Sequence, residues 1–459
     1  MVDADSIAAS SIVTQAAGSA PRVVLEAGVL ARTLRMGAAR NGIFRVVDAL
    51  AKGLAACTDL DLALWVPGWW DSLSSDAPHT LADYVRSEMP SLTVGVPGRV
   101  PGDLLRWAIP RLDPATVPFP DALRALAHGS GSELRLADRM AFRAASLAHR
   151  GALWQDARQA RRLLEWADIY HATFYSLPRD SLAGVTTFIN VYDMIPMIHP
   201  QYFEREMVEG FTAAVKGFSK TDWYIAISEH TKNDLCAIAG VPRDRVIVAL
   251  PAADRTVFYP CHDELLRRKV LERIGVPNGP YFLCLNTIEP RKNMRSVTRA
   301  FAGLVRQGEL KDCSLVIIGS QGWQGEIALD GAEIETDMVG RVFFTGAVWD
   351  VELAPLYSGA VGFVYPSFYE GFGLPVLEAM QCGAPIITSS VSSLPEVVGD
   401  AGLMIDPQDL DQLCSAMTKV YNDLQLRSSL SQRSVARAAT FSWERFVSDV
   451  TRGYRLALG

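Results

Sequence analysis

Short apolar runs alternate with longer stretches of helical periodicity along most of this chain. The first series of runs covers 23–26, 60–66, 169–171, 186–192, 224–227 and 246–250, and the second covers 281–285, 314–318, 342–344, 360–364, 385–387 and 403–405. The runs are continuously apolar and are separated by helical stretches, which predicts parallel strands buried on both faces. Two such series predict an α/β fold with two Rossmann-like domains.

A stretch rich in proline separates the two series and predicts the domain boundary. Pro260, Pro277 and Pro280 lie in or beside residues 254–280, where a short helical pattern over 265–274 leads into the second series. Proline interrupts regular structure and is frequent in connections. We therefore predict domains at 1–260 and 261–440, followed by a helix within 441–459.

Residues 67–166 form a long, irregular insertion in the first series. They hold half of the ten tryptophans, and arginines at 135, 139, 143 and 150 fall close to helical spacing. Connections of this length are often functional. The arginine pattern predicts either a solvated helix packed on its own domain or a face for the acceptor or for a membrane surface.

Composition and charge exclude several classes of protein. The 459 residues carry a formal net charge of −7, which argues against a nucleic-acid partner. The seven cysteines are widely spaced without a Cys-x-x-Cys pair, so we expect a reducing compartment and no structural zinc. The N-terminus lacks a secretory pattern and no long apolar run predicts a membrane span. We expect a cytoplasmic protein, with peripheral contact at the inner face of a membrane left open.

Residues 362–380 have the layout of a strand, a glycine-rich turn and a helix. Glu370 lies in the turn and Glu378 lies eight positions later, about one turn inside the predicted helix. A helix that begins at the carboxyl edge of a parallel sheet offers backbone N–H groups to phosphate. Two carboxylates at different depths of the same crevice would suit a ligand with a diphosphate and two hydroxyl-rich groups, such as a nucleotide sugar.

The motifs around this turn resemble the donor-binding half of retaining GT-B glycosyltransferases of the family-4 type, the glycosyl transferases group 1. The resemblance is carried, in the order of that family, by TIEPRKN at 287–293, VIIGS at 316–320 with Gly322 and Trp323, Gly346 before a helix predicted from Val351, YPS at 365–367 running on to Glu378, and SSLPEV at 392–397. It implies a GT-B fold, with two Rossmann-like domains facing across a cleft. The domain at 1–260 would take the acceptor, 261–440 would take the donor, and 441–459 would pack back on the first domain.

Arg291 and Lys292 stand between a predicted strand and a predicted helix. A helix N-terminus disfavours cations, so two of them there require a partner anion. In the resembling family this pair contacts the donor diphosphate, where it stabilises the charge of the leaving group. The plainer alternative is a basic pair on the surface.

The resemblance gives the two glutamates different roles. Glu370 would face the donor sugar and Glu378 would hold the ribose hydroxyls, unless Glu378 is only a surface charge on its helix. Phe372, Gly373 and Leu374 would supply backbone contacts to the donor, since glycine allows close approach.

Further donor contacts are implied at other strand ends. Gly319, Ser320 and Val348 would line the nucleotide, with ordinary loop residues as the alternative. The chain departs from the family at Asn286, where a glycine is common. A differently shaped loop is therefore expected beside Arg291.

The first half contributes candidates for both substrates. Gly42 and Arg45 resemble a family segment whose glycine lies near the donor phosphate, and Arg45 is a candidate for the acceptor or a surface charge. Asp193 follows an apolar strand where relatives often have His-Asp and this chain has Tyr192-Asp193. It is a catalytic candidate that would bind or orient the acceptor, or else it caps a turn. Ser228 is a predicted N-cap, with Glu229 and His230 as acceptor candidates.

These features predict transfer of a hexose from a nucleotide diphosphate sugar to a hydroxyl acceptor, with retention of configuration. The context of Trp323 resembles bacterial surface-polysaccharide mannosyltransferases, so GDP-mannose is the first donor to test and a glycan or lipid-linked glycan is the expected acceptor. We expect no cofactor and no metal, since histidines do not cluster and Asp59 and Asp61 stand at a strand entry. A nucleotide-sugar epimerase of the same fold and a non-catalytic nucleotide-sugar-binding subunit remain alternatives. Donor base, acceptor, oligomeric state and the role of 67–166 stay open.

Overall fold

A computed structural model describes residues 20–36, 42–65, 84–85, 87–89, 161–174, 182–319 and 338–459. Most of the insertion at 67–166 and the predicted site residue Ser320 lie outside the described residues. Within the described part, no helix is both long and apolar enough to cross a membrane.

The described strands form two parallel six-stranded sheets. They are β1 Arg22–Glu26, β2 Asp61–Trp65, β3 Ile169–Ala172, β4 Thr186–Val191, β5 Trp223–Ala226 and β6 Val246–Val248, then β7 Tyr281–Leu285, β8 Ser314–Ile318, β9 Val342–Gly346, β10 Gly362–Tyr365, β11 Ile386–Ser389 and β12 Gly402–Ile405. The sequence prediction of an α/β fold with two parallel sheets is confirmed. Predicted and observed strand ends differ by two residues or fewer.

Helices fill the connections between these strands. They are α1 Gly28–Met36, α2 Gly42–Ala55, α3 Ile195–Ile198, α4 Arg205–Lys216, α5 Glu229–Ala239, α6 Glu264–Arg273, α7 Met294–Arg306, α8 Asp350–Gly359, α9 Leu374–Gln381, α10 Leu394–Val398, α11 Leu410–Asn422, α12 Leu424–Ala438 and α13 Trp443–Leu458. The connection from β1 towards Gly42 contains α1.

The strand order of the second sheet explains where a ligand can bind. The order is β12-β11-β10-β7-β8-β9, so the chain starts at β7, runs outward to β9, and returns to β10 on the other side of β7. Strand order reverses between β7 and β10, and such switch points leave a crevice beyond the carboxyl ends of the two strands. The order of the first sheet is β2-β1-β3-β4-β5-β6.

Helix α7 shows how the pattern of apolar residues covers the second sheet. Met294, Val297, Phe301 and Leu304 repeat at intervals of three and four residues and are buried against the sheet. Each such side chain contributes about 1.5–3 kcal/mol by leaving water. Because α7 follows directly on Arg291 and Lys292, this packing fixes the loop that carries them.

The described chain divides into two compact units. One consists of the described residues up to Asn190 together with Thr451–Gly459, and the other is Val191–Val450. The chain changes from the first sheet to the second between β6 and β7. The domain limits predicted from the sequence stay a prediction.

Candidate functional site

The loops that follow β7 and β10 meet at the switch point of the second sheet. Asn293 joins them: it adopts a left-handed conformation with φ of 58°, and its side-chain amide donates to the carbonyl oxygens of Pro366 (3.1 Å) and Pro407 (2.8 Å). The left-handed region is more accessible to asparagine than to most residues. Arg291 and Lys292, just before Asn293, are thereby held beside the loop that carries Glu370.

Glu370 forms ion pairs with both basic residues. Arg291 Nη1 lies 3.0 Å from Glu370 Oε2, and Lys292 Nζ lies 2.7 Å from Oε1. The three side chains are only 9–11% exposed. Lys292 Nζ also donates to the hydroxyl of Tyr365 at 2.8 Å, and Arg291 pairs with Glu289 at 2.5 Å. Charge-assisted hydrogen bonds of this kind fix the geometry of a buried carboxylate.

The electrostatics keep Glu370 ionised. Burial by itself raises the pKa of this carboxyl, but Arg291 and Lys292 outweigh the burial and lower it to about 2. Burial, reinforced by Arg291, lowers the pKa of Lys292, although Glu370 opposes the shift. Burial also acts to lower the pKa of Arg291, but Glu370 and Glu289 raise it above its ordinary value. Glu370 and Arg291 are therefore fixed charges near neutral pH.

The anion that the sequence required beside the basic pair is present in the protein itself. Two cations face two carboxylates, those of Glu370 and Glu289. Among the described residues, the buried Nε of Arg291 has no hydrogen-bond partner. A buried donor without a partner is uncommon and costly.

The turn after Glu370 leads into α9 as predicted. Gly373 caps the helix with φ of 102°, and a Cβ there would lie 2.7 Å from the side chain of Leu394. Leu374 is the first helical residue, while Phe372 is buried and meets the ring of Phe441 edge to face at 6.0 Å. The turn thus needs glycine for its backbone, and the Leu374 amide follows it directly. Pro375 has no N–H, and the Val376 amide already donates to the Gly373 carbonyl at 3.0 Å.

Glu378 lies on the fifth position of α9 and is 5% exposed. The hydroxyl of Tyr357, on α8, lies 3.5 Å from Glu378 Oε2. The alternative of a solvated charge on the helix surface is wrong, since this carboxylate is buried. Its contact with the ribose stays a prediction.

The end of β8 lies close to Asn286, the position at which the chain departs from the family pattern. Gly319 has φ of 147°, and a Cβ there would lie 1.8 Å from the backbone oxygen of Asn286. The backbone amide of Asn286 donates to the Ile318 carbonyl at 3.0 Å, and its side-chain Nδ2 donates to Met294 Sδ at 3.2 Å. Gly319 is therefore required by packing, and Val348 lies partly buried in the loop after β9. Their contact with a nucleotide stays a prediction.

Asp193 caps a turn and also interacts electrostatically with the cluster of Arg291, Lys292 and Glu370. Its Oδ1 accepts a hydrogen bond from the Ile195 amide at 2.9 Å, which is the turn-capping alternative. Burial raises the pKa of Asp193 and Glu370 adds to the rise, while Arg291 and Lys292 oppose it. The structure therefore brings Asp193 near Glu370.

The start of α5 also reaches the loop of Glu370. Ser228 is the N-cap, as predicted, and accepts from the Thr231 amide at 2.9 Å. Glu229 is exposed, and its backbone amide donates a hydrogen bond to the carboxylate of Glu396 at 2.8 Å. His230 Nε2 lies 2.6 Å from the Tyr369 hydroxyl. Their acceptor role stays a prediction.

Gly42 and Arg45 lie on α2 of the first unit. Gly42 begins the helix and is exposed, and Arg45 is partly buried. In the same unit, Asp59 pairs with Arg455 at 2.7 Å. Within the described part of the chain, no group of three or more His, Cys, Asp or Glu side chains is placed to hold a metal ion.

Sequence reasoning missed several residues of the site. Glu289 and Glu396 stand inside the motifs that carried the resemblance, but nothing in their spacing assigned them a partner. Tyr369 and Asp234 are 135 positions apart and share a hydrogen bond of 2.5 Å. A single sequence contains no signal for a contact of that separation.

Comparisons with known proteins identify the family of the chain. Residues 268–437 match the family described as glycosyl transferases group 1. The O-antigen chain mannosyltransferase B of Escherichia coli is 34% identical over 306 residues, which cover 65% of this chain and 77% of that protein. The serotype-specific mannosyltransferase WbdA of the same species is 28% identical over 270 residues, which cover 58% of this chain but only 33% of that much longer protein.

Solved structures share the fold at low sequence identity. The chain matches HepE of Anabaena, solved with UDP and glucose, with a TM-score of 0.61, 14% identity and coverage of 95% of this chain and 99% of that one. The sucrose-phosphate synthase of Thermosynechococcus elongatus gives a TM-score of 0.63 at 19% identity, with the same coverage. The two parallel sheets have the GT-B fold, and the sequence matches define a glycosyltransferase of this class. The chain belongs to the glycosyl transferases group 1 family.

Proposed function

We propose that this protein transfers mannose from GDP-mannose to a hydroxyl of a glycan or lipid-linked glycan during the synthesis of a bacterial surface polysaccharide, with retention of configuration. The observation that carries the proposal is the ion cluster of Arg291, Lys292 and Glu370 beside the N-terminus of α9. The names of two similar proteins, both mannosyltransferases, favour mannose as the sugar.

The basic pair acts on the leaving group. A nucleoside diphosphate gains negative charge as the glycosidic bond breaks, and preorganised cations stabilise that charge without reorganisation. The charged groups of Arg291 and Lys292, together with the Leu374 amide at the start of α9, are the donors that we assign to the phosphate oxygens. We expect these groups to make a divalent ion unnecessary and the reaction to need no cofactor.

Retention follows from a front-face reaction. The acceptor hydroxyl attacks the anomeric carbon on the side from which the diphosphate leaves, and the leaving phosphate oxygen takes the acceptor proton. Glu370, held ionised with a pKa of about 2, lies beside the developing positive charge of the sugar. Glu378 holds the ribose hydroxyls through its two carboxylate oxygens, and Asp193 orients the acceptor.

A panel of donors tests the proposal. Thermal shifts with GDP, UDP, dTDP and ADP sugars identify the donor, because a ligand at 100 times its dissociation constant adds about 2.7 kcal/mol of stability. Nucleotide release is then measured with and without a mannan-type acceptor, and proton NMR of the product gives its anomeric configuration. An inverted product would refute retention, and stabilisation by UDP sugars alone would refute GDP-mannose.

The same measurements separate the alternatives. An epimerase would convert the free sugar nucleotide into an isomer and would need no acceptor. A non-catalytic binding subunit would be stabilised by a donor but would release no nucleotide under either condition.

A further inference from the structure

Helix α5 holds the residues on both sides of Glu370. On one side, Ser228 Oγ and Thr231 Oγ1 donate to the Gly371 carbonyl at 2.7 and 3.1 Å. On the other, the hydroxyl of Tyr369 contacts Asp234 Oδ2 at 2.5 Å and His230 Nε2 at 2.6 Å. One helix therefore fixes the chain immediately before and immediately after the carboxylate.

The direction of the hydrogen bonds around Tyr369 follows from chemistry. A carboxylate can only accept, so the phenolic proton goes to Asp234. His230 must then donate from Nε2 to the phenolic oxygen, which sets its tautomer. The hydroxyl is satisfied as a donor and as an acceptor, and its ring cannot rotate away without breaking both bonds.

The loop has little freedom to adjust. A Cβ on Gly371 would lie 2.1 Å from the Tyr192 carbonyl oxygen, so the backbone there is already in close contact. The Tyr369 carbonyl accepts from Arg291 Nη1 at 2.6 Å, which links the position of this residue to the guanidinium that pairs with Glu370. A displacement of Tyr369 is thus transmitted to the ion cluster.

We propose that Asp234 is a positioning residue for Glu370 and acts through the hydroxyl of Tyr369. The inference rests on the proposed catalytic role of Glu370. Asp234 itself touches neither substrate nor the reacting atoms in this scheme; it determines where the Glu370 carboxylate stands relative to the donor sugar. Small displacements of a reacting geometry cost rate rather than ground-state binding.

Two variants test the link. Tyr369→Phe keeps the ring and removes only the hydroxyl, and Asp234→Ala removes its acceptor. Each deletes a hydrogen bond to a charged group, so we expect kcat to fall about tenfold or more. The donor KM should stay within about twofold, because the interaction with Glu370 matters in the transition state.

A matched control separates positioning from stability. Tyr224→Phe also removes a buried tyrosine hydrogen bond, the one donated to the Ser219 carbonyl at 2.9 Å, but Tyr224 lies on β5 away from the Glu370 loop. It should lower the melting temperature comparably and leave kcat unchanged. Since Tyr369→Phe is nearly isosteric, it keeps the test usable if Asp234→Ala folds poorly.

A double-mutant cycle with Glu370→Gln decides the outcome. If Asp234 acts through Glu370, then Asp234→Ala and Tyr369→Phe lose most of their effect on kcat once Glu370 is already replaced. Costs that add in full, a raised donor KM at unchanged kcat, or wild-type kcat in both single variants would overturn the inference while leaving the proposed function intact. Wild-type turnover in Glu370→Gln itself would overturn the catalytic role of Glu370, and the inference with it.

Discussion

We expect the buried His171 to make the first unit sensitive to mild acid. His171 is fully buried on β3; its Nε2 lies 2.9 Å from Asn190 Oδ1 and its Nδ1 lies 2.5 Å from the Tyr454 hydroxyl. An amide oxygen can only accept, so Nε2 carries the proton and Nδ1 accepts from the tyrosine. The neutral ring is therefore fully satisfied, and a second proton would place an unpaired charge in the core.

The magnitude follows from the change in pKa. Burial, opposed in part by the bond to Asn190, lowers the pKa of His171 from 6.5 to about 4. The folded value is depressed, so the unfolded chain binds a proton more readily and the stabilisation is present above pH 6.5. This stabilisation is lost as the pH falls from 6.5 towards 4. The free energy of unfolding should therefore fall by about 2 kcal/mol between pH 7 and pH 5.

The assay compares urea unfolding at pH 7 and pH 5 for the wild type and His171→Gln. The variant cannot titrate, so it should lose about 2 kcal/mol less than the wild type over this interval. His262→Gln is the matched control, since that side chain is exposed and its loss should leave the pH dependence unchanged. Equal losses in the wild type and His171→Gln would refute the reasoning.

The remaining predictions concern the site. Arg291→Ala or Lys292→Ala should cut transfer at least about 100-fold, the scale for losing one preorganised charge, and should also lower the melting temperature, because each leaves the buried Glu370 carboxylate with one partner fewer; near-normal turnover in both would rule out the diphosphate assignment. Activity should survive EDTA, and loss on chelation with recovery in Mg²⁺ or Mn²⁺ would show that a metal is needed. Glu378→Gln should raise the donor KM, while Glu370→Gln should lower kcat, each about tenfold or more. Steady-state kinetics with varied donor measure both effects, and the opposite pattern would mean that the roles assigned to the two glutamates must be exchanged.

Local patterns were enough to predict most of the secondary structure and the fold class. Continuous apolar runs such as 281–285 and 314–318 became buried central strands, because a strand covered on both faces needs apolar residues at every position. The glycine turn before α9 and the Ser228 cap were also readable, since positive φ and helix capping restrict the residue type locally. The assignment of Arg291, Lys292 and Glu370 to one donor site came from the family resemblance of their motifs, since the basic pair and Glu370 are far apart in the chain.

Contacts between distant segments were decided only by the tertiary structure. The sequence required an anion beside Arg291 and Lys292, but which carboxylates stand there depends on the β10 strand returning beside β7. The same holds for Asp234 with Tyr369 and for His171 with Tyr454, which are 135 and 283 positions apart. Residue type and spacing constrain backbone conformation over a few turns, whereas these pairs form only when folding brings distant segments of the chain together. The partner of a buried charge is therefore a property of the fold, and the need for a partner is a property of the sequence.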